Sequence, residues 1–322
     1  MLVPETTTAA PVRPRGLRRS ARGRPGRCLG AAPVRPRGLR TFLKDSLWSV
    51  GNRCSLQGLY TWDLSDGYAA VEQVTLPCAG LGAGWAGVRI AQLSDMHCSP
   101  IVRAGHLRRY VEIVNRFDVD FVVLTGDFIT ATAEKFARRV GEIVSELRPR
   151  VATLGCLGNH DYGVFHPVQE GRLDVAEQLT EQLEAGGVRV LINESHTYIR
   201  EDSPLTFAGV ADYWTDLYDP LKAFEAVAPD VPTIALSHNP DPAEDLAALG
   251  AGCVLSGHTH GKPTRPRSLT NLLFPVEMHH FYAGLYDLGM GRSLYVNRGI
   301  GGARSLAKDL APEITLIELQ PA

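Results

Sequence analysis

The side chains best suited to bind a metal stand close together in residues 256–261, where His258 and His260 are two residues apart with glycines on both sides. In an extended segment, residues i and i+2 point to the same face, so two such imidazoles can converge on one metal ion or reach two neighbouring ions. The glycines let the backbone turn sharply beside whatever the imidazoles hold. Taken alone, the segment is explained equally well as a polar loop, so its interpretation depends on partners elsewhere in the chain.

Four other apolar stretches also end in polar clusters, which use mainly Asp, His and Asn. They are Asp95-Met96-His97, Gly126-Asp127, Gly158-Asn159-His160-Asp161 and Ser237-His238. Each cluster by itself has an ordinary explanation, because Asp and Asn start turns and cap helices, and a single His is more often a hydrogen-bonded residue than a ligand. Five such endings are not explained by independent caps, which would also draw on Ser, Thr and Gly. The set therefore indicates one shared site.

The hydrophobic pattern predicts the strands and helices that position these clusters. Continuous apolar runs predict buried strands at 88–93, 120–125, 151–157, 188–192, 233–236 and 253–255. Helical spacing predicts helices over 104–117, 133–147 and 172–186. Further strands are expected near 196–200 and 205–210, and at 281–287, 293–296 and 314–319. This alternation predicts an α/β layered sandwich, and open α/β sheets carry their sites at the carboxyl ends of the strands.

The composition is that of a globular body with a basic arm. Hydrophobic residues make up 44% of the 322 residues and charged residues 21%, as in ordinary soluble proteins. Residues 1–44 contain ten arginines, Lys44 and one acid, Glu5, so the other 278 residues hold 22 basic against 34 acidic side chains. The ten residues 9–18 recur unchanged at 31–40. An arm so rich in Pro, Arg and Gly buries too little apolar surface to fold, so we expect disorder over 1–44.

This arm has two interpretations. It is either a basic tether to anionic lipid or nucleic acid, or a solvated tail without a partner, and we favour the tail.

The six cysteines are scattered without metal-type spacing, so we expect them to be reduced and structural. No transmembrane run or signal-peptide core is visible in the sequence. We therefore predict a cytoplasmic protein. If the arm is a tether, it would give this protein a peripheral contact with a membrane.

The ordered motifs DxH, GD, GNHD, H and GHxH resemble those of the calcineurin-like metallophosphoesterase superfamily, over about residues 70–320. The flanking residues are similar to a bacterial branch of UDP-diacylglucosamine-hydrolase-like phosphoesterases, as in Leu157-Gly158-Asn159-His160-Asp161-Tyr162. The resemblance implies a four-layer α/β/β/α sandwich with two mixed sheets. One departure concerns the last motif, where Lys262-Pro263 replaces the usual Gly and Gln after Gly261. This change affects substrate contacts and removes no predicted metal ligand.

The resemblance also implies a role for each residue of the site. Asp127 would bridge two metal ions. The first ion would take Asp95, His97 and His260, and the second Asn159, His238 and His258. His160 would donate a proton to the leaving oxygen, and Asp161 would orient His160 through its other ring nitrogen, or else serve only as a turn residue. Arg298 and His280 are weaker candidates for substrate contacts, with a structural role as the alternative.

Oxygen and imidazole donors without thiolates suit two divalent ions chosen from Mn, Fe and Zn. A hydroxide activated between two such ions can attack phosphorus in line with the leaving oxygen. We therefore predict a phosphohydrolase that cleaves a phosphate mono- or diester or a pyrophosphate bond. The resemblance implies a small-molecule or lipid-linked phosphoester as substrate, since relatives in this branch act on cell-envelope or lipid-linked phosphoesters. The expected division of the chain is an arm over 1–44, a lead-in over 45–86 and the catalytic domain over 87–322.

Two alternatives come from other functional classes. A binding protein with this fold and no catalysis would be expected to lack ligands, and none is missing. A nucleic-acid partner for the arm is disfavoured by the acidic body of the protein.

Overall fold

The computed structural model describes residues 69–100, 102–130, 134–165, 170–261, 281–301 and 311–322. These residues contain twelve strands, which are numbered here in chain order. They are β1 (Ala70–Cys78), β2 (Arg89–Leu93), β3 (Phe121–Thr125), β4 (Ala152–Cys156), β5 (Val188–Val190), β6 (Glu194–Arg200), β7 (Ser203–Gly209), β8 (Thr233–Leu236), β9 (Cys253–Ser256), β10 (Gly284–Gly289), β11 (Arg292–Val296) and β12 (Glu313–Pro321).

The strands form two mixed sheets of six. The first has the order β1-β12-β2-β3-β4-β5, and the second has the order β10-β11-β9-β8-β7-β6. Strands β2 to β5 run parallel, and β12 is antiparallel to β2. The register pairs Leu93 with Leu124 in the first sheet and Leu236 with Leu255 in the second. Because these residues lie at the carboxyl ends of their strands, the polar clusters that follow come out at the same edge.

Helices cover the outer faces of both sheets. They are α1 (Ala104–Val114), α2 (Glu134–Val144), α3 (Leu173–Ala185), α4 (Pro220–Phe224) and α5 (Ala243–Ala248). Apolar residues at helical spacing put one face of each longer helix into the core: α1 buries Leu107, Tyr110, Val111 and Val114. Asp219 caps α4 by accepting a hydrogen bond from the backbone N–H of Lys222.

Three apolar clusters fill the spaces between the four layers of helices and sheets. Successive side chains along a strand point to opposite faces, so one strand can contribute to two of these clusters. On β3, Phe121 and Val123 face the second sheet, where Phe207 is among the residues they pack with. Val122 and Leu124 of the same strand face α1 to α3 on the other side. The third cluster lies between the second sheet and the short helices α4 and α5. The predicted α/β/β/α sandwich with two mixed sheets is confirmed.

The main correction concerns the predicted lead-in over 45–86. Residues 70–78 form β1, which pairs in parallel with β12 along its whole length, so the sheet begins well before residue 87. Its first six residues alternate between half-buried and exposed, and this weak pattern hid it. The helices α4 and α5 were also missed, because both are shorter than two turns. Residues 45–68 and the arm over 1–44 lie outside the described residues. Within those that are described, no helix is long and apolar enough to cross a membrane.

Candidate metal centre

The strand ends bring six of the seven predicted metal ligands into overlapping groups of close donor atoms, and the seventh, Asn159, comes next to His160, whose donor atom belongs to one of these groups. Asp95 and His97 follow β2, Asp127 follows β3, and Asn159 follows β4. From the second sheet, His238 follows β8, and His258 and His260 follow β9. The two histidines of the GHTH motif thus meet residues from both sheets.

The first group of donors consists of Asp95, His97 and His260, whose ligand atoms all lie within 4.8 Å of one another. The Nε2 atoms of His97 and His260 are 3.2 Å apart. Asp95 Oδ1 is 3.5 Å from His260 Nε2 and 3.9 Å from His97 Nε2. One carboxylate oxygen and two imidazole nitrogens therefore converge on a single point, as the ligands of one metal ion do.

The second group consists of Asp127, His238 and His258. His258 takes part through Nδ1, which lies 3.2 Å from His238 Nε2. His238 Nε2 is in turn 3.2 Å from Asp127 Oδ2. The two histidines of the motif therefore present different ring nitrogens to different groups.

Asp127 connects the two groups. Its Oδ2 atom lies 3.5 Å from His97 Nε2 in the first group and 3.2 Å from His238 Nε2 in the second. Its Oδ1 atom accepts a hydrogen bond of 3.0 Å from the backbone N–H of His160. This hydrogen bond thus fixes the carboxylate in a position where Oδ2 can serve both groups.

Two buried oxygen atoms in the site lack a hydrogen-bond donor in the part of the chain that the structure describes and are suited to bind a cation. Asn159 donates its amide N–H to the carbonyl of Val164 at 2.7 Å, which orients the side chain. The buried Asn159 Oδ1 and Asp95 Oδ1 accept no hydrogen bond from any described residue. A buried acceptor without a partner costs about 1–3 kcal/mol, and coordination to a metal ion removes that cost. The donor set therefore suits a divalent metal ion.

The backbone is strained where the ligands sit. Five of the seven predicted ligands have positive φ angles, although none is glycine: Asp95 (52°), His97 (46°), Asp127 (53°), His258 (71°) and His260 (53°). Such residues are uncommon in proteins and concentrate at functional sites. Here the left-handed turn immediately after each strand directs the side chain to the site.

Two glycines in the motifs leave room for the ligands. A Cβ atom on Gly126, whose φ is +83°, would lie 2.6 Å from His238 Nδ1. A Cβ atom on Gly257 would lie 2.5 Å from Asp95 Oδ2. Both distances are shorter than real Cβ contacts, so a larger residue at either position would displace a ligand.

Hydrogen bonds on the far side of two imidazoles set which nitrogen faces the site. His238 donates Nδ1–H to the carbonyl of Thr125 at 2.7 Å. His97 Nδ1 lies 3.0 Å from Thr130 Oγ1, and that hydroxyl is 3.4 Å from the carbonyl of His97, which only accepts. The consistent arrangement has His97 donating to Thr130 and Thr130 donating to the carbonyl. Both histidines then present Nε2 as a ligand, as in metal sites generally.

The charged groups of the site shift one another's pKa values. Burial alone raises the pKa of Asp127, but the electrostatic interactions with His238 and His160 and the hydrogen bond from His238 outweigh burial and hold that pKa well below its usual range. Burial lowers the pKa of His238, but Asp127 outweighs it and raises that pKa well above its usual value. For His97, burial is the larger effect and lowers the pKa in spite of Asp127. Without a metal ion, the Asp127–His238 pair therefore holds a proton that a metal ion has to displace.

Asp161 does not have the predicted orienting role. Its Oδ1 accepts from the backbone N–H of Ile129 at 3.1 Å, and its Oδ2 accepts from the backbone N–H of Gly158 at 2.9 Å. The buried His160 Nδ1 has no hydrogen-bond partner within the described part of the chain. Asp161 is thus the turn residue of the alternative interpretation. It fixes the 158–161 turn because it accepts two backbone hydrogen bonds that would otherwise be lost.

The predicted substrate contact at Arg298 is also corrected. Its guanidinium forms ion pairs with Glu72 Oε1 at 2.7 Å and with the buried Glu313 Oε2 at 2.5 Å. These partners lie on the neighbouring strands β1 and β12, so Arg298 ties the edge of the first sheet together. His280, the other proposed contact, lies outside the described residues.

Several residues near the site were not predicted from the sequence. Besides Thr130, they include Asp212, a buried carboxylate shortly after β7. Burial raises the pKa of Asp212 to about 7, against the opposing attraction of His238. Asp212 follows the short apolar stretch 207–211, which is the same strand-end signal that marked the other clusters. Trp214, two residues later, packs against the His258 ring at 4.6 Å between centroids.

The four-layer fold and its site of carboxylate, amide and imidazole donors define a metal-dependent phosphohydrolase. A family model described as calcineurin-like phosphoesterase matches residues 88–262, so the chain belongs to the calcineurin-like phosphoesterase family.

Relatives with known names agree with this assignment. The chain is 28% identical over 273 residues to the UDP-2,3-diacylglucosamine pyrophosphatase LpxG of Chlamydia trachomatis, covering 72% of this chain and 83% of that protein. It is 28% identical over 231 residues to the phosphodiesterase YaeI of Escherichia coli, covering 72% and 82%. It is also 28% identical over 240 residues to the uncharacterized metallophosphoesterase YkuE of Bacillus subtilis, covering 74% and 80%. The resemblance seen in the sequence is confirmed.

Proposed function

We propose that this protein hydrolyses a phosphate diester, monoester or pyrophosphate bond at a centre of two divalent metal ions. The observation that carries the proposal is the position of Asp127, whose Oδ2 lies within 3.5 Å of an imidazole nitrogen from each of two donor groups. Two metal ions about 3.5–4 Å apart need a shared ligand of this kind.

The residues present account for both ions. Asp95, His97 and His260 would hold one ion, and Asn159, His238 and His258 the other, with Asp127 common to both. Mn, Fe and Zn suit these donors. When bound, such ions lower the pKa of water and stabilise charge on phosphoryl oxygens.

His160 is the proposed proton donor to the leaving oxygen. It belongs to a third group of close donor atoms, together with His97 and Asp127, and its ring centroid is 4.9 Å from that of His97. It is only partly buried, unlike the carboxylates behind it. An imidazole at the open side of the site can reach an oxygen that departs towards solvent, and it can stabilise the negative charge that develops there.

We propose a small-molecule or lipid-linked phosphoester as the substrate. Support comes from the names of two relatives, a pyrophosphatase of UDP-2,3-diacylglucosamine and a phosphodiesterase. The cytoplasmic location and the membrane contact of the basic arm stay predictions from the sequence.

The test is hydrolysis of bis-p-nitrophenyl phosphate with Mn²⁺, together with metal analysis of the purified protein. Asp127→Ala and His258→Ala should each abolish turnover and reduce bound metal. His160→Gln should retain metal and lose roughly 10²–10⁴-fold in kcat, the usual contribution of general acid–base catalysis, on a diester with an alkyl leaving group, because that oxygen needs a proton as it departs whereas p-nitrophenolate does not.

Matched controls are available away from the site. His196→Gln on β6 and Asp174→Ala, an exposed acid on α3, should keep the activity of the parent. Equal turnover in the parent and in Asp127→Ala would refute the proposal. Metal binding by the parent without turnover of any phosphoester would favour the binding-protein alternative.

A further inference from the structure

The exposure of the ligands shows which side of the centre is open. Asp95, Asp127, Asn159 and His238 are at most 2% exposed and form the floor of the site. The partly exposed groups are the imidazoles of His160, His258 and His260. A substrate must therefore approach past these three rings, and side chains next to them will contact the groups attached to the phosphate.

Two of these three imidazoles have an aromatic side chain packed edge-to-face against them. Phe165 lies 4.9 Å from His160 between ring centroids at an interplanar angle of 85°. Trp214 lies 4.6 Å from His258 at 89°. Phe165 is 37% exposed and Trp214 is only partly buried, so each ring keeps surface that a ligand can contact.

The segment that carries Trp214 is held in place by hydrogen bonds. Trp214 donates its backbone N–H to Asp212 Oδ1 at 2.9 Å. Thr215 donates Oγ1–H to the carbonyl of Asp212 at 2.7 Å, and Ala211 donates its N–H to Asn193 Oδ1 at 2.9 Å. The buried Asp212 thereby anchors the turn, and the contact with His258 positions the indole before any ligand arrives, which lowers the entropic cost of binding.

We propose that Phe165 and Trp214 are specificity-determining residues that bind a flat, apolar group esterified to the phosphate. The inference rests on the proposed function. A group linked to phosphorus through one oxygen lies only a few ångströms from it, and each aromatic ring lies within 4.9 Å of an imidazole of the site between ring centroids. Flat apolar groups gain area and favourable ring contacts there, whereas a methyl ester gains little of either.

The experiment compares two diesters with the same leaving group, phenyl p-nitrophenyl phosphate and methyl p-nitrophenyl phosphate, on the Mn²⁺-loaded enzyme. In both, a water oxygen bonds to phosphorus, the bond from phosphorus to the p-nitrophenyl oxygen breaks, and p-nitrophenolate departs while the proton of the water passes to the solvent, so the same product is measured. The parent should favour the phenyl ester in kcat/KM by about tenfold, since one aromatic contact contributes a factor of roughly 2–12.

Phe165→Ala and Trp214→Ala should each lower this preference by about threefold, mainly through KM for the phenyl ester. Trp214→Phe should retain most of the preference. Ile199→Ala, at a position on β6 that is 73% exposed, is the matched control and should leave both the activity and the preference unchanged.

The outcomes separate this inference from the proposed function. Equal kcat/KM for both esters in the parent, or an unchanged preference in both alanine variants, would overturn the inference and leave phosphoester hydrolysis established. If Trp214→Ala only loses metal, both esters slow equally, and this result also counts against the inference. If the parent enzyme hydrolyses neither ester, both the proposed function and this inference are refuted.

Discussion

Thr130→Val should weaken metal binding although Thr130 is not a ligand. Thr130 Oγ1 lies 3.0 Å from Nδ1 of His97, on the side of the ring away from the site. Valine has the same shape as threonine but accepts no hydrogen bond, so the His97 ring loses the contact that fixes its orientation and its tautomer. Loss of such an outer hydrogen bond typically reduces metal affinity or activity by about 10–100-fold.

The substitution should also lower the free energy of unfolding. In the metal-free protein, His97 Nδ1–H would be left buried without a partner, which costs about 1–3 kcal/mol. We expect the Mn²⁺ dissociation constant, measured by calorimetric titration, to rise by about 10–100-fold. Urea unfolding in the presence of a chelator should show the stability loss. Turnover should return towards that of the parent at saturating Mn²⁺, because the reacting groups are intact.

Thr180→Val is the matched control, because Thr180 Oγ1 on α3 is buried without a hydrogen-bond partner in the described residues. The same substitution there removes no bond and should leave Mn²⁺ affinity and stability close to those of the parent. If Thr130→Val behaved like this control in both measurements, the assigned role of the His97–Thr130 contact would be wrong.

Two further predictions follow from the charges in and around the site. Because Asp127 raises the pKa of His238 well above 6.5 in spite of burial, metal-free His238 carries a proton at pH 7 that the metal ion must displace. Mn²⁺ affinity should therefore fall by about tenfold for each pH unit of acidification, with about one proton released at pH 7 in calorimetry in two buffers; pH-independent affinity would contradict this. Arg298→Met should destabilise the fold by about 3 kcal/mol in urea unfolding, because it leaves the buried Glu313 without its ion pair. The kcat of the metal-loaded variant should change little. A large loss of kcat at unchanged stability would instead support the interpretation of Arg298 as a substrate contact.

Local patterns were sufficient for much of the fold. Val122 and Val123 are buried on opposite faces of β3, and a strand covered on both sides reads as a continuous apolar run. The helical spacing of α1 to α3 was equally clear. In contrast, β1 alternates only weakly, and it is a strand because β12 pairs with it. That pairing joins residues more than 200 positions apart, which no local pattern encodes.

The sequence by itself determined the chemistry of the site: carboxylates, an amide and imidazoles at the ends of five apolar stretches. Side-chain type and strand periodicity are local properties, so these features were readable without a structure. Only the tertiary structure decided the partners of each group. Asp161 bonds to the backbone of Ile129, Arg298 bonds to Glu72, and Trp214 packs on His258. Each contact joins segments far apart in the chain, and the burial and distances that decide such contacts arise only after the strands have paired into sheets and the sheets have packed together.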